Sequence, residues 1–557
     1  MILISLGVSF AFMAVKQGYH EDELLTYNLA NSSKQLSVDA GWNTPGDFND
    51  YLAAGEHRFD YQNVYDNQVI DASHPPLYYA LVHTVCSFFP GLFSRWLAFA
   101  VNVVMMTGAL LLLFCVGKRV TGSNLYALIG VGGYAFSIAC ITTTIYLRMY
   151  ASLTFWVLAF LALTLRLYDR RGKVKVTDLL LLLVIVVAGI LTQYYFILCA
   201  SLIGLVFLIF SIKEKNIKLL IFYILTAVIG AGIAMAVYPY IITNVLGGNR
   251  GFGSLKLDID VITIVTYVGY KLLCYVQILA KDMFLGQVWL LGLCALCMVV
   301  SFFFFRFGKK RKLPRKAWFL IVPGMVYFVF IALVSPFNSD RYVMASLPLL
   351  SLVFTFAFIR IIHLIKNVRL HPILPVVMTA ACALAFVLVK PYYIYGATNL
   401  YQPQTDNCVF VGTAMMEWNK CIDKFMQYDN TMIAKTTAMS KTLYSELDDF
   451  AQKRGVITNG KVGALAESFM NNGDVERVEQ DSLGKLVQDE RLRGMDEVTV
   501  YISRLADEKT VMDTITQNTD FKHCELLQAD RQFEEFFNWY DYFVETESYC
   551  NVYRFYK

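Results

Sequence analysis

The stretch RWLAFAVNVVMMTGALLLLFCVG, residues 95–117, decides the class of fold. A helix needs roughly 20 apolar residues to cross a bilayer, and this run carries a charge only at its first position. Lys118 and Arg119 follow it directly, as basic residues often follow the cytoplasmic end of a span. Of the 557 residues 57% are hydrophobic and only 17% are charged, whereas soluble domains carry about 25% charged residues. The sequence therefore predicts a multi-pass α-helical membrane protein.

Working outward from this run, similar apolar segments predict about eleven spans in all. The others lie near 1–17, 124–145, 150–167, 177–196, 197–212, 219–240, 284–305, 317–335, 342–364 and 372–390. The apolar runs stop there, and residues 391–557 have the composition of an ordinary soluble domain. We predict two parts, a transmembrane domain over 1–390 and a soluble domain over 391–557.

The orientation follows from the basic residues of the short loops. Residues 261–283 are apolar enough to cross, but a crossing there would move the run FRFGKKRKLPRK (305–316) to the opposite side from the other basic loops. We therefore interpret 241–283 as an external loop with an amphipathic helix in the membrane interface. The N-terminus is then cytoplasmic, and the C-terminal domain lies outside the plasma membrane.

The first external loop then covers 18–94. Its apolar segment 77–89 is too short to cross and suits an interfacial helix. The span that precedes this loop is short and lacks a basic flank. It is interpreted as a retained helix, with a signal peptide or a start codon placed too late as alternatives.

The distribution of charge limits the function. The predicted span interiors contain almost no Asp, Glu, Lys or Arg, whereas ion-coupled transporters usually need such groups near the midplane. The net charge of +4 is too small to argue for nucleic acid. The polar groups gather at the outer ends of the spans, so we expect binding or chemistry at the outer membrane interface.

Two clusters lie in the first external loop. EDELLTYNLA (21–30) places Asp22 and Glu23 in the first turn of a predicted helix, where carboxylates either complement the helix dipole or form a site. Adjacent helical positions point about 100° apart, so one acid faces a site and the other caps or orients. HPPLYY (74–79) places His74 before a helix start, which suits a phosphate site or a turn with a solvated histidine.

Three further clusters lie at the same predicted depth. The clusters are YLRMYASL (146–153) with Arg148 and Tyr150, LTQYYF (191–196) with Gln193, Tyr194 and Tyr195, and NSDRYVMASLP (338–348) with Asp340, Arg341 and Tyr342. An arginine at such a junction either extends to lipid headgroups or holds the phosphate of a bound lipid. Chance would scatter such clusters over both faces, so together they indicate one site.

The acidic pair, HPPLYY, the Arg-x-Tyr of YLRMYASL and the late Arg-Tyr together resemble the GT-C superfamily of membrane glycosyltransferases. The most similar patterns are those of the protein O-mannosyltransferases, the lipid A aminoarabinose transferases and the bacterial family 39-like enzymes. The resemblance covers roughly residues 1–365. It implies an inverting enzyme that moves a sugar from a polyprenyl-phosphate carrier to an extracytoplasmic glycan, lipid or protein hydroxyl.

The resemblance also implies roles for individual residues. Asp22 matches the general base and Glu23 its acidic neighbour. The donor phosphate is assigned to His74, Arg148 and Arg341, and substrate contacts to Tyr78, Tyr150, Gln193, Tyr194 and Tyr342. Two positions depart from the pattern: Tyr146 stands where many relatives carry Glu, and Gln193 where many carry His or Lys.

The cofactor and partner predictions follow. No separate ligand cluster calls for a metal ion, so no cofactor is required, although a divalent ion is compatible with an acidic pair. The partners are membrane lipids, the lipid-linked sugar donor and an acceptor, with no nucleic acid. The alternatives are a flippase or transporter of lipid-linked glycans and a non-catalytic receptor.

The C-terminal domain reads as a small α/β domain. NCVFVG, TMIAKT, EVTVYIS and CNVYRFY predict strands, and SKTLYSELDDFAQKRG (440–455) and ADEKTVMDTITQNT predict helices. Its four cysteines form either two disulfides, in one of three pairings, or free thiols.

Overall fold

A computed structural model describes most of the chain. The described residues are 1–33, 38–170, 174–246, 261–307, 314–335, 338–362, 373, 376–377, 380, 402–413, 415–440, 482–532 and 549–557. The predicted span 372–390 and the predicted domain boundary at 390 lie almost wholly outside them.

Helices make up the first two thirds of the described chain. They are α1 (Ile2–Val15), α2 (Glu21–Asn31), α3 (Pro45–Leu52), α4 (Tyr61–Asp71), α5 (Leu77–Ser87), α6 (Arg95–Thr121), α7 (Asn124–Ala135), α8 (Ile138–Ile145), α9 (Tyr150–Asp169), α10 (Val176–Thr192), α11 (Tyr195–Lys213), α12 (Ile217–Val237), α13 (Ile241–Leu246), α14 (Val261–Phe284), α15 (Val288–Phe307), α16 (Trp318–Ile321), α17 (Tyr327–Val334) and α18 (Leu347–Ile362). A 3₁₀ turn (Arg315–Ala317) precedes α16, a π-helical segment (Val322–Val326) joins α16 to α17, and a second 3₁₀ turn covers Asp340–Tyr342.

Within the described residues, five helices are long and apolar enough to cross a membrane. They are α6, α9, α11, α12 and the composite helix Arg315–Val334, and each lies on a predicted span. The count rises to seven if the bent pairs Asn124–Ala135 with Ile138–Ile145 (60°) and Val268–Phe284 with Val288–Ser301 (95°) each form one span. Since α1, α10 and α18 are shorter, the predicted count of eleven is not confirmed.

The helix breaks have local causes. α7 ends before Ser137, whose hydroxyl accepts a hydrogen bond from the Cys140 amide (3.3 Å) and thereby caps α8. α10 ends just before Gln193, whose backbone is extended. The side-chain Oε1 of Gln193 accepts a hydrogen bond from the Tyr194 amide (2.6 Å). Pro323 lies in the π-helical segment. Because proline has no amide hydrogen to donate, it interrupts the hydrogen bonding of the α-helix at this point. The breaks thus arise at single residues within apolar runs.

Ion pairs hold several loops together at one end of the bundle. Asp169 pairs with Arg119 (3.0 Å) and Lys316 (2.6 Å). Glu214 pairs with Arg315 and accepts from the Tyr168 hydroxyl (2.6 Å). The segments after α6, α9 and α11 and the segment before α16 therefore meet at this end. These are loops that the sequence predicted to share one side of the membrane.

The segment 18–94, which the sequence predicts to be the first external loop, contains α2–α5 and packs as part of the large core. Helix α5 covers the predicted short helix after HPPLYY, and its buried face includes Tyr78, Tyr79 and Val82. Helix α14 covers the segment that was predicted to lie in the interface. Its position relative to a bilayer stays a prediction, because the 95° bend to α15 suits a broken span or a re-entrant loop.

The C-terminal part contains most of a six-stranded sheet. Its strands are β2 (Asn407–Gly412), β3 (Asn430–Lys435), β4 (Glu497–Ser503), β5 (His523–Gln532) and β6 (Tyr549–Tyr556), which include all four predicted strands. The short helices are α19 (Met415–Asn419), α20 (Ile422–Phe425), α21 (Leu483–Leu486) and α22 (Glu490–Gly494). α23 (Glu508–Asn518) lies on the second predicted helix, whereas the first, 440–455, lies outside the described residues beyond its first position. The four cysteines Cys408, Cys421, Cys524 and Cys550 are free thiols.

The sixth strand comes from the first external loop. β1 (Gly41–Asn43) pairs antiparallel with β3, giving the order β1-β3-β2-β4-β6-β5. The pairs β3–β2 and β2–β4 are parallel, whereas β4–β6 and β6–β5 are antiparallel. The first external loop and the C-terminal part thus share one sheet, which the sequence did not predict.

Side chains extend this contact to the start of α2. Lys420 lies 3.8 Å from the Glu21 carboxylate, and Phe425 packs against Phe48 of α3 at 5.9 Å between ring centroids. A Cβ at Gly18 would lie 2.5 Å from the Lys424 ammonium, so glycine permits this close approach. Glu21, the first residue of α2, therefore faces a buried lysine of the C-terminal part.

Candidate functional site

The site begins with the capping of α2. The His20 Nδ1 accepts a hydrogen bond from the Asp22 amide (3.0 Å), and the Glu23 Oε2 accepts one from the His20 amide (2.8 Å). This reciprocal capping box satisfies two amides that a helix start leaves without partners. It turns Glu23 inward and leaves Asp22 on the adjacent face, as their helical spacing predicts.

Glu23 is fully buried and has partners on both oxygens. The Lys16 ammonium lies 3.0 Å from Oε2, and the Leu147 amide donates to Oε1 (2.8 Å). Burial raises the pKa of the Glu23 carboxyl, and Lys16 and the two backbone amides oppose that rise. Glu23 therefore ties the end of α1, the start of α2 and the 146–148 segment together.

Asp22 lies at the centre of the cluster. Its Oδ2 accepts from the Tyr146 hydroxyl (2.6 Å) and is paired with the Arg341 guanidinium. The Arg148 Nη2 lies 3.8 Å from Oδ1, and the His20 Nδ1 lies 3.8 Å from Oδ2. Twelve per cent of the side chain is exposed. This largely buried carboxylate thus lies among cations.

Arg148 is buried and bonded to three groups. Its Nη1 donates to the Asp22 carbonyl (3.0 Å) and the Thr26 hydroxyl (3.2 Å), and its Nη2 to the His74 Nε2 (2.9 Å). Its Nε, buried as well, has no hydrogen-bond partner among the described residues. A buried donor without a partner is costly and can be satisfied by a bound anion.

His74 is oriented by Asp71, a carboxylate that the sequence analysis missed. The Asp71 Oδ2 accepts from the His74 amide (3.1 Å) and lies 2.7 Å from the ring Nδ1. Because an arginine can only donate, the Arg148 contact makes Nε2 the acceptor and places the ring proton on Nδ1. The available signal was a carboxylate three residues before a histidine in a proline turn.

The predicted tyrosines divide into two groups. Tyr150 stacks on Tyr146 (5.9 Å, 7°), and the Tyr342 hydroxyl accepts from the Arg341 Nη2 (3.3 Å). Tyr195 of the LTQYYF cluster contacts the Tyr342 ring edge to face (6.0 Å between ring centroids). Tyr150 and Tyr342 therefore belong to the cluster around Asp22.

Tyr78, Gln193 and Tyr194 have partners outside this cluster. The Tyr78 hydroxyl donates to Asn102 (3.1 Å), whose amide nitrogen donates to the Tyr146 carbonyl (2.7 Å). Tyr78 thus supports the 146–148 segment from behind. Gln193 bonds the amide of Tyr194, and the Tyr194 hydroxyl pairs with Asn244 (3.2 Å). Their predicted substrate contacts stay predictions.

Positive groups lie on several sides of Asp22. The guanidinium groups of Arg148 and Arg341 and the ring of His20 lie beside its carboxylate, and Lys16 faces Glu23. Among the described residues, no group of three or more His, Cys, Asp or Glu side chains could hold a metal ion. Four chain segments, α2, the HPPLYY turn, the 146–148 segment and the 3₁₀ turn 340–342, together bring the Asp22 carboxylate and two guanidinium groups into one largely buried site.

The comparisons with known proteins find structural similarity alone. No protein-family model matches the chain, and no curated protein matches it in sequence. The structure of ArnT from Cupriavidus metallidurans bound to undecaprenyl phosphate is similar over 99% of this chain and 97% of that chain, with 11% identity and a TM-score of 0.45.

An archaeal oligosaccharyltransferase is also similar. AglB from Archaeoglobus fulgidus, in complex with an inhibitory peptide and a dolichol-phosphate, matches over 90% of this chain and 69% of that chain, with 10% identity and a TM-score of 0.39. The same enzyme tethered to an acceptor peptide matches over 75% and 63%, with 11% identity and a TM-score of 0.37. Similarity at this level does not establish a reaction, which has to be argued from the site.

Proposed function

We propose that this protein is an inverting membrane glycosyltransferase that takes a sugar from a polyprenyl-phosphate donor and transfers it to an extracytoplasmic hydroxyl. The observation that carries the proposal is the Asp22 carboxylate beside the pair Arg148 and His74 and the guanidinium of Arg341. Sugar transfer from a lipid phosphate requires these two elements together, a base for the acceptor and cations for the leaving group.

The donor phosphate is assigned to the cations. Arg341 pairs with Asp22, and the donor phosphodiester offers a guanidinium one negative charge and two free oxygens, with further charge growing on it as its bond to the sugar breaks. Arg148 adds its buried Nε, and His74 is held in place by Asp71. Donor binding would therefore withdraw Arg341 from Asp22 and release the carboxylate for the acceptor.

The transfer step follows from this arrangement. The acceptor oxygen attacks the anomeric carbon from the face opposite the phosphate, and the bond from that carbon to the phosphate oxygen breaks with its electron pair. Asp22 takes the hydroxyl proton, and the cations stabilise the charge that grows on the departing lipid phosphate. The attack inverts the anomeric carbon. The product is the glycosylated acceptor and a polyprenyl phosphate.

The location completes the proposal. The basic loops form the cytoplasmic end of the bundle, and the Asp22 cluster and the C-terminal sheet lie outside the plasma membrane. The lipid tail of the donor lies between spans, and the glycan, lipid or protein acceptor approaches from outside. No metal cofactor is required, since the residues around Asp22 and Glu23 already supply positive charge.

Asp22→Asn tests the proposal. We expect the purified variant to lose transfer by about 10²–10⁴-fold, the usual contribution of a general base. The assay uses a panel of polyprenyl-phosphate-linked hexoses and pentoses, and undecaprenyl phosphate binding is measured beside it. The matched control is Glu56→Gln, an exposed acid of the same loop, which should retain the parent rate.

Two results would contradict the proposal. Full transfer by Asp22→Asn would remove the general-base role. Movement of intact lipid-linked glycan across vesicles, unaffected by this variant, would favour a flippase instead.

A further inference from the structure

Tyr146 is held from several sides with its hydroxyl aimed at Asp22. The hydroxyl donates to Oδ2 at 2.6 Å, and the side chain is buried. Its ring stacks on Tyr150 with a 7° interplanar angle and meets the His20 ring edge to face (5.6 Å). Its backbone amide donates to the Thr142 carbonyl (2.9 Å), and its carbonyl accepts from Asn102 (2.7 Å). Such a residue has a fixed orientation.

The charged and titratable groups that face Asp22 are few. On its own segment these are His20 and the neighbouring Glu23, and from other elements Arg148, Arg341 and Tyr146. The two arginines are the groups that the proposed function assigns to the donor phosphate. Once a phosphate engages both arginines, the Tyr146 hydroxyl is the side-chain donor, among the described residues, that still bonds the Asp22 carboxylate.

We infer that Tyr146 is the positioning residue of the general base: its hydroxyl holds Oδ2 of Asp22, so that Oδ1 faces the acceptor while the arginines serve the phosphate. This inference rests on the proposed function and deepens it. It distinguishes two kinds of partner for one carboxylate, cations that donor binding withdraws and a neutral hydroxyl that stays.

Two measurable effects follow. Without the hydroxyl the carboxylate is free to rotate in the donor-bound site, so the chemical step slows while binding of the lipid phosphate is unchanged. A hydrogen bond to the ionised form also lowers the proton affinity of a carboxylate. Its loss should therefore move the acidic limb of the pH–rate profile to higher pH.

Tyr146→Phe is the test, because it removes one oxygen and keeps the stacked ring. We expect kcat to fall about 10–100-fold, corresponding to the loss of one hydrogen bond to a charged group. The acidic limb should rise by about one pH unit, and the Kd for undecaprenyl phosphate should stay within twofold of the parent value. Tyr223→Phe is the matched control, since that buried hydroxyl bonds Thr164 (2.9 Å) away from the site, and it should keep the parent kcat.

The outcomes separate the inference from the proposed function. A parent-like Tyr146→Phe beside an inactive Asp22→Asn overturns the inference and leaves the function intact, whereas an active Asp22→Asn overturns the function. Weaker undecaprenyl phosphate binding by Tyr146→Phe would place Tyr146 in the phosphate site and also overturn the inference. If the variant fails to fold, 3-fluorotyrosine at position 146, a stronger donor of similar size, should move the acidic limb to lower pH, and an unmoved limb overturns the inference.

Discussion

The Lys16–Glu23 pair shows how single residues hold the candidate site. Both side chains are fully buried, and their charges lie 3.0 Å apart. Taking two charges out of water is costly, so such a pair persists only where further hydrogen bonds satisfy it. Glu23 has two, from the amides of His20 and Leu147. These contacts favour a positioning role for Glu23, beside Asp22 as the proposed general base.

Lys16→Met should therefore destabilise the protein strongly. It leaves a buried carboxylate without its ammonium, which typically costs about 3–5 kcal/mol. The measurement is the midpoint of thermal unfolding of the purified protein in detergent. The double variant Lys16→Met/Glu23→Gln is the control and should recover much of the loss, because neither charge remains buried. A single variant as stable as the parent would contradict the role of the pair.

The same variant should have a defined pH dependence. Burial already raises the pKa of Glu23 above its ordinary value of 4.5, and loss of Lys16 raises it further. An acid with a higher pKa in the folded than in the unfolded protein binds more protons when folded, so stability falls as pH rises above the unfolded value. The deficit of Lys16→Met should thus be largest near neutral pH and shrink towards pH 4.5.

At this scale the sequence predicted which residues lie close together better than it predicted the hydrogen bonds and ion pairs between them. Asp22, His74, Arg148 and Arg341 are together in the structure, because each lies in a polar motif at the end of an apolar run. Asp71 and Tyr146 did not stand out as partners, since a carboxylate in a helix or a tyrosine at a span end is common. Their roles depend on neighbours 3 to 124 residues away in the chain.

At the scale of elements, hydropathy locates helices but not their breaks. The run 124–145 was predicted as one span because it is mostly apolar, yet the chain bends by 60° where Ser137 caps α8. The strand β1 has three residues and joins the sheet through β3, almost 400 residues later, so its pairing depends on tertiary contacts. The prediction of strands β2, β3, β4 and β6 is confirmed, because each is a largely buried run bounded by polar turns.

The shared sheet predicts a specific cross-link. Trp42 of β1 and Met432 of β3 are directly opposite, and both pack against the same core of the sheet. Cross-strand partners on one face have Cβ atoms about 4.5–5.5 Å apart, within reach of a disulfide after small adjustments. The double variant Trp42→Cys/Met432→Cys should form an oxidised bridge, read as a linked peptide pair by mass spectrometry.

The control for this cross-link shifts the register by one residue. In Trp42→Cys/Ile433→Cys the two side chains lie on opposite faces of the sheet, so little bridge should form. Equal yields from both double variants would contradict the pairing of β1 with β3, and with it the docking of the C-terminal part on the first external loop.

At the scale of the whole molecule, charge separates into two regions. At one end of the bundle, Asp169 (the last residue of α9) and Glu214 pair with basic residues of neighbouring segments. The Asp22 cluster lies at the other end of α9, around the 146–148 segment that precedes it. The sequence grouped these loops correctly, because loops rich in Lys and Arg tend to stay on the same side of the membrane. It could not count the spans, because several helices are short or bent.

This separation predicts which loops face the outside of the cell. In intact cells an impermeant maleimide should label Glu56→Cys, an exposed residue of the first external loop. Lys218→Cys, exposed at the start of α12 near the basic end, should be labelled only after permeabilisation, because the positive-inside bias places that end in the cytoplasm. The parent protein gives the background from native cysteines. Labelling of Lys218→Cys in intact cells would show that the predicted orientation is wrong. Asp22 and its cations would then lie on the cytoplasmic side, where an extracytoplasmic acceptor cannot reach them.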